Sequence, residues 1–269
     1  MTKIFPSDRK HISHSSLNMF LKCGVQYDFR YNRGVIIAPN AVVVRGSCGH
    51  KTLEKNFIQK IETHLDLPED QVKDIFSDEW EESKYSIAWS KKDLDGNSVK
   101  KASGIIKDQG IEMVKVFHKE QSPRSQPFAV EQPFEIRFEK GYPDLVGIID
   151  RIDIEDEGYA IGDVKFVSKS PQEDDLKTDI QMTIYSAGYL TKYGSLPKLK
   201  KQFAIATKVP KTKILEEPPR DQNTINRLLW RLEAAFDALE NGIFTPAPAG
   251  AWWCSEGWCG YWEMCKYRP

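Results

Sequence analysis

A chain of 269 residues with 40% hydrophobic and 11% aromatic side chains is long and apolar enough to bury one large core or two small ones. It holds no apolar run near the about 20 residues a membrane span needs, and its opening, MTKIFPSDRKHISHSS, lacks the apolar centre of a secretory signal, so the cytoplasm (of the host, if viral) is the expected compartment. The formal net charge of -1 excludes a general polycation, so any nucleic-acid contact must come from local patches.

Residues 15–31, SSLNMFLKCGVQYDFRY, put Leu17, Phe20, Leu21 and Gly24 at helical spacing behind a serine able to cap, which predicts an amphipathic helix carrying Cys23. A second helix is expected after Gly46, with His50, Leu53, Phe57, Ile61 and Leu65 along one side. Residues 66–100 are charged and irregular, which suggests short helices and loops, and another helix is expected over 101–119. After Pro127 the period changes: FAVEQPFEIRF, LVGIIDRIDI and YAIGDVKFV read as three consecutive strands joined by KGYPD and EDEG turns. Helical spacing returns over 175–193, KKQFAIATKV at 200–209 reads as a fourth strand, and 221–241 as a long helix stopped at Gly242.

This order predicts an α/β fold with a mixed central β-sheet flanked by helices. A single domain is expected, with a helical N-terminal part (1–126), a catalytic core (127–209), and a C-terminal helix with a cysteine-rich tail (210–269).

Strand alternation puts Val146, Ile148, Asp150, Ile152 and Ile154 on one face, with Arg151 on the other, and Tyr159, Ile161, Asp163, Lys165 and Val167 on one face of the next strand. An aspartate in an aliphatic row requires a cation or hydrogen bonds, because burying a lone carboxylate costs several kcal/mol. Pairing through EDEG lets Asp150 and Asp163 converge. One reading is a structural ion pair of Asp150 with Lys165. The other is a site for a hard divalent cation such as Mg2+ or Mn2+, with Lys165 orienting water and stabilising charge on a phosphoryl group.

Asp150 in GIIDRID and Asp163-Val164-Lys165 in IGDVK resemble the signature of the PD-(D/E)XK nuclease superfamily, in its RecB-like branch. The second element stands on a strand thirteen residues after the first aspartate, which makes the match more specific than D-x-K alone. Gln181 and Tyr185 in QMTIY match the family's Q-x-x-x-Y element, which the resemblance places on the DNA-binding side. His50 in GSCGHKTLE matches an upstream G-x-x-x-H-x-x-L-E pattern whose histidine is a metal ligand. The resemblance implies a restriction-endonuclease-like core, with metal held by Asp150, Asp163, His50 and the Val164 carbonyl. Glu131 occupies the family's preceding acidic position, yet alternation sets it with Pro133, Glu135 and Arg137 on a polar face.

The tail, WWCSEGWCGYWEMC, places Cys254, Cys259 and Cys265 within twelve residues, while Cys23 lies far upstream. In a reducing compartment such a cluster points to metal rather than disulfides, either zinc or a four-iron, four-sulfur cluster. One cysteine upstream and three downstream resembles the iron-sulfur nucleases of the same branch, the AddB nuclease domain and the CRISPR-adaptation exonucleases, in which a cluster staples the two chain ends together. The first gap here is four residues rather than that family's two. Cys48 reads as an ordinary small residue.

Between Lys198 and Arg231 nine basic residues face three acidic ones. With the tail tryptophans they are candidates to hold single-stranded DNA. The expected activity is that of a metal-dependent DNA exonuclease in recombination, repair or replication, with any helicase a separate partner. The alternatives are a CRISPR-adaptation nuclease and a non-catalytic iron-sulfur DNA-binding module.

Overall fold

The three consecutive strands form the middle of a six-stranded mixed sheet. The computed structural model describes residues 11–138 and 141–269, so the KGYPD turn lies partly outside the described residues, at Lys140. The strands are β1 (His11–Ser13), β2 (Pro127–Ile136), β3 (Asp144–Glu155), β4 (Gly158–Val167), β5 (Lys198–Ile205) and β6 (Lys211–Glu217). β2 runs antiparallel along one edge of β3 from Leu145 to Asp153. The other edge is shared: β1 lies parallel against 144–146, and β4 pairs antiparallel with 151–155. Residues 147–150 fall between these two partners. β4 then pairs parallel with β5 out to Val167↔Ile205, and β6 closes the far edge.

Two strands were not anticipated. β1 has three residues, too few for alternation to register. β6, KTKILEE, is rich in charge, as an edge strand that must not recruit another chain tends to be.

Helices cover both faces. α1 (His14–Lys22), α7 (Ile180–Tyr193) and α8 (Gln222–Glu240) pack over a core that includes Leu17, Ile152, Ile161, Phe203 and Phe236. α3 (Ala41–Thr63), α4 (Glu69–Ser83) and α6 (Val99–Glu120) cover the opposite face around Phe57, Trp80, Phe117, Val164 and Phe166. The short helices α2 (Gly24–Tyr27) and α5 (Lys91–Leu94) complete the set among the described residues. α3 begins five residues before Gly46, capped by the Asn40 side chain accepting from the Val43 amide at 2.9 Å. The 66–100 stretch is more regular than expected, because Val72, Phe76 and Trp80 give α4 a buried helical stripe.

Cys23 does not ride on a helix. The chain breaks there into an extended conformation (φ -164°, ψ 102°), ending α1 and starting α2. The cause is at Gly24, where a Cβ would lie 2.8 Å from the Thr245 nitrogen and 2.9 Å from the Phe244 Cα. The C-terminal tail crosses at that point, and Phe29 stacks on Tyr261 at 5.4 Å.

Alternation holds in β4 and fails in part in β3. Ile152 is buried as expected, but Ile148 and Ile154 are about half exposed (47% and 48%), so Asp150 is not inside a buried aliphatic row. Ile154 lies beside the hairpin turn, and Ile148 lies on the stretch of β3 that has, among the described residues, no neighbour on one edge. Arg151 does point away, as expected, into the second core. It makes a bidentate pair with Asp153 (2.6 and 2.9 Å), hydrogen-bonds the Ser125 hydroxyl at 3.0 Å, and its guanidinium lies 4.1 Å from the Phe57 ring. A Cβ at Gly162 would sit 2.6 Å from the Arg151 Nη2, so the glycine of IGDVK is the space that the guanidinium fills. Gly162→Ala is expected to destabilise the fold by about 1–3 kcal/mol, read as a lower urea midpoint at unchanged m. An unchanged midpoint would mean that Arg151 moves aside freely.

Candidate active site

The ladder between β3 and β4 runs from Glu155↔Gly158 to Arg151↔Gly162. Asp150 and Asp163 are the next residues along each strand. They stand where the strands part, β3 staying with β2 and β4 with β5. The sheet geometry therefore brings two carboxylates together and opens a gap beside them.

Asp163 is fully buried. Burial alone would raise its pKa, but Lys165, Lys201 and the hydrogen bond from Lys165 outweigh that and hold the carboxyl below its usual value. Lys165 Nζ donates to Oδ1 at 2.7 Å. Oδ2 has no hydrogen-bond partner, with Lys201 Nζ at 3.7 Å. Lys165 stays charged, because Asp163 and Asp150 more than offset its burial. Asp150 shifts the other way: burial, and then the charge of Asp163, raise it to about 7.

Two helices aim side chains at this pair. In α3, Gly49 lies against the Phe166 ring, where a Cβ would be 2.4 Å away, so the helix approaches β4 closely enough for His50 to reach the cleft. His50 Nδ1 is 3.8 Å from Asp150 Oδ2. Burial, then Lys165, lower its pKa to about 4, so the ring is neutral at neutral pH with a lone pair free to ligate. Cys48, two residues earlier, is buried in the second core as an ordinary small residue.

In α7, capped by Asp179, Gly188 packs on Phe134 at a distance no Cβ would permit. Gln181 Nε2 donates to the Tyr185 hydroxyl at 2.9 Å, and that hydroxyl donates to Asp150 Oδ1 at 3.3 Å. The Q-x-x-x-Y pair thus forms a relay onto Asp150, with Tyr185 buried.

Glu131 is exposed, as are Pro133, Glu135 and Arg137, in keeping with the polar face expected of it. It adopts φ 50°, and the β2–β3 register on either side of it sets it opposite Asp150. It lines a small pocket with His50, Glu54, Asp150 and Val164, and burial, with Glu54 nearby, raises its pKa. The Val164 side chain is buried in the second core.

Two residues were missed. Lys201 lies in register with Asp163 on β5 and also pairs with Asp179. Its place in a predicted strand could have exposed it. His14, at the first turn of α1, meets the Tyr185 ring edge-on at 5.3 Å and lines a cleft of about 1160 Å³ together with Asp150 and Tyr185. No sequence signal marked it. Burial, then Lys165, lower its pKa.

Four of the nine basic residues of the 198–231 stretch are taken up internally, while Lys208, Lys211, Arg227 and Arg231 are exposed. Lys200 pairs with Glu155, Lys201 with Asp179 and Lys213 with Glu173, while Arg220 donates to the Leu176 carbonyl. The four cysteines of the clip do converge. Cys23, Cys254, Cys259 and Cys265 line one small pocket, and Gln26 Nε2 donates to Cys259 Sγ at 3.3 Å. Burial and the three neighbouring thiols raise the Cys254 pKa. Among the described residues no three such side chains, at either place, stand in metal-coordinating geometry as they are.

The sequence model of the PD-(D/E)XK nuclease superfamily matches residues 11–266. The chain belongs to that superfamily. A search of the curated proteins gave no match. A solved structure from Eubacterium rectale, named "Putative exonuclease", is 13% identical with a TM-score of 0.52, over 91% of this chain and 86% of that one, and at this identity the likeness speaks for the fold alone. A second solved structure, SSO0001, is 16% identical over 66% of this chain and 79% of that one, with a TM-score of 0.35. No helix among the described residues is long and apolar enough to cross a membrane.

In this member of the superfamily burial and the neighbouring Asp163 push the Asp150 carboxyl up from its ordinary 3.8 to about 7. Between those values the folded state binds the extra proton, so metal-free stability falls as pH rises, and the penalty is complete above 7. Asp150→Asn removes it. In EDTA, its stability advantage over the parent is expected to grow by about 2–3 kcal/mol between pH 5 and pH 8, measured from urea midpoints. A pH-independent difference would contradict the shift.

Proposed function

We propose that the protein is a divalent-metal-dependent exonuclease that hydrolyses phosphodiester bonds at DNA ends. The observation that carries this reading is the buried, unpartnered Oδ2 of Asp163 beside Asp150, whose carboxyl is raised to about 7. A hard cation would satisfy both carboxylates, and an all-protein ion pair leaves one of them unmet. Asp150, Asp163, His50 and the Val164 carbonyl would hold one or two Mg2+ or Mn2+ ions, with Glu131 a further acid at the rim. When bound, the metal supplies Lewis-acid activation of water and neutralises charge at the phosphate.

The chain's own residues do the rest. Lys165 positions the attacking water and stabilises the negative charge developing on the phosphoryl oxygens. Tyr185, steadied by Gln181, holds the Asp150 carboxylate, and the same helix guides the strand past the site. His50, neutral at working pH, offers a ring nitrogen. A separate motor or recombination protein would deliver the ends, in recombination, repair or replication.

We further assign the four clip cysteines to a four-iron, four-sulfur cluster of the RecB-like branch, with zinc the alternative occupant. The convergence of Cys23 with three tail thiols around one pocket supports this, as does the Gln26 donor to Cys259, since hydrogen bonds to the sulfurs tune such clusters. The cluster would tie the N-terminal break to the tail.

The test of the catalytic assignment is degradation of end-labelled single- and double-stranded DNA with Mn2+. Asp150→Ala is expected to abolish cutting, and Lys165→Ala to lower kcat by about 100-fold or more. Equal degradation by parent and Asp150→Ala would refute the site. For the clip, anaerobically purified protein is expected to be brown, with broad visible absorption, whereas a colourless, zinc-containing preparation would refute the cluster.

A further inference from the structure

We propose that an outer face formed by Tyr85, Trp89, Lys92, Trp252 and Trp258 binds the single-stranded extension of the nucleic acid, away from the catalytic cleft. The proposal rests on the nuclease reading and adds a second contact for the same substrate.

The tail tryptophans are not equivalent. Trp262 packs against the buried group around Cys23 and Cys259, whereas Trp252 and Trp258 are each 63% exposed and meet edge to face at 5.0 Å. Packing around the cysteines therefore does not account for them. Lys92 of α5 places its ammonium 5.3 Å from the Trp258 ring, which joins the tail to the helical layer. Three residues earlier, Trp89 lines a groove of about 700 Å³ between the end of α4 and the start of α6. There Tyr85 is 84% exposed, with the Lys84 ammonium 5.2 Å from its ring. The groove contributes Lys84, Lys100 and Lys107 against Glu81, which pairs with Lys84 and Lys107 together. A positive surplus remains.

Exposed rings with lysines beside them suit a ligand that offers flat apolar faces and negative charge in alternation. Unpaired nucleotides do both: bases stack on the rings while phosphates meet the lysines. A duplex hides its base faces within its own stack. An apolar protein surface would leave the lysines unmet, and an acidic protein would leave the ring faces without stacking partners.

The experiment compares the full-length parent with a triple variant, Trp252→Ala/Trp258→Ala/Lys92→Ala, and with Lys92→Ala alone as the milder change should the triple misfold. Binding of labelled oligo-dT is measured in the Asp150→Asn background, and cutting with Asp150 intact. For an oligonucleotide of about 30 nucleotides, the triple variant is expected to bind at least about tenfold more weakly, and Lys92→Ala to bind less salt-dependently. Oligo-dT is expected to quench intrinsic tryptophan fluorescence in the parent and far less in the triple variant. Cutting of an oligonucleotide of about 5 nucleotides, which gains least from a second contact, is expected to stay unchanged. Unchanged affinity and quenching, with cutting intact, overturn the surface and leave the nuclease reading standing. Quenching lost in the triple variant, with no cutting by the parent, overturns the nuclease reading and keeps the surface. A parent that neither binds nor cuts overturns both.

Discussion

Asp163 is a carboxylate with no access to solvent, and the surrounding structure compensates for its burial only in part. Lys165 satisfies one oxygen, and Lys201 approaches the other without bonding it. Removing a partner from such an arrangement leaves an uncompensated buried charge, at a cost of about 3–5 kcal/mol. The second carboxylate adds to the strain, since burial and the charge of Asp163 push the Asp150 carboxyl up to about 7 and so oppose its ionisation. A metal-free site of this kind is under electrostatic strain that a divalent cation would relieve.

The sheet explains how the two aspartates come to be neighbours. β3 changes partners midway, from β4 to β1, and the gap between those partners is the opening of the cleft. Glycines then set the distances. Gly49 lets α3 approach β4, Gly188 lets α7 close on Phe134, and Gly162 makes room for Arg151 on the opposite side. The GIIDRID segment thus carries two functions on opposite faces. Asp150 points to the cleft, while Arg151 and Asp153 form a buried pair whose guanidinium meets Phe57 of α3. The tail crosses the chain at Gly24, beside Cys23, and the two segments line one pocket.

Much of this was legible in the sequence. The spacing of Asp150, Asp163 and Lys165 on alternating strands placed them together, and helical spacing put Gln181 and Tyr185 on one side of α7. What escaped has physical causes. Glu131 lines the pocket beside Asp150 from an exposed position at positive φ, and no residue type announces that conformation in a glutamate. Cys23 was placed on a helix because the break is imposed by a chain crossing from more than 200 residues away. His14 owes its place to a three-residue strand too short to leave a pattern. Net charge in sequence does not reveal which members of the basic stretch meet acids: Lys200, Lys201 and Lys213 do, while Lys208, Lys211, Arg227 and Arg231 stay exposed.

The most direct measurement is calorimetric titration of the protein with Mn2+ at pH 7 in buffers of different ionisation enthalpy, which counts the protons released on binding. If the metal sits between Asp150 and Asp163, the raised Asp150 carboxyl must give up the proton it holds, so protons are released on binding, and none from this position with Asp150→Asn. Binding without proton release, or with the same release in Asp150→Asn, would contradict the account.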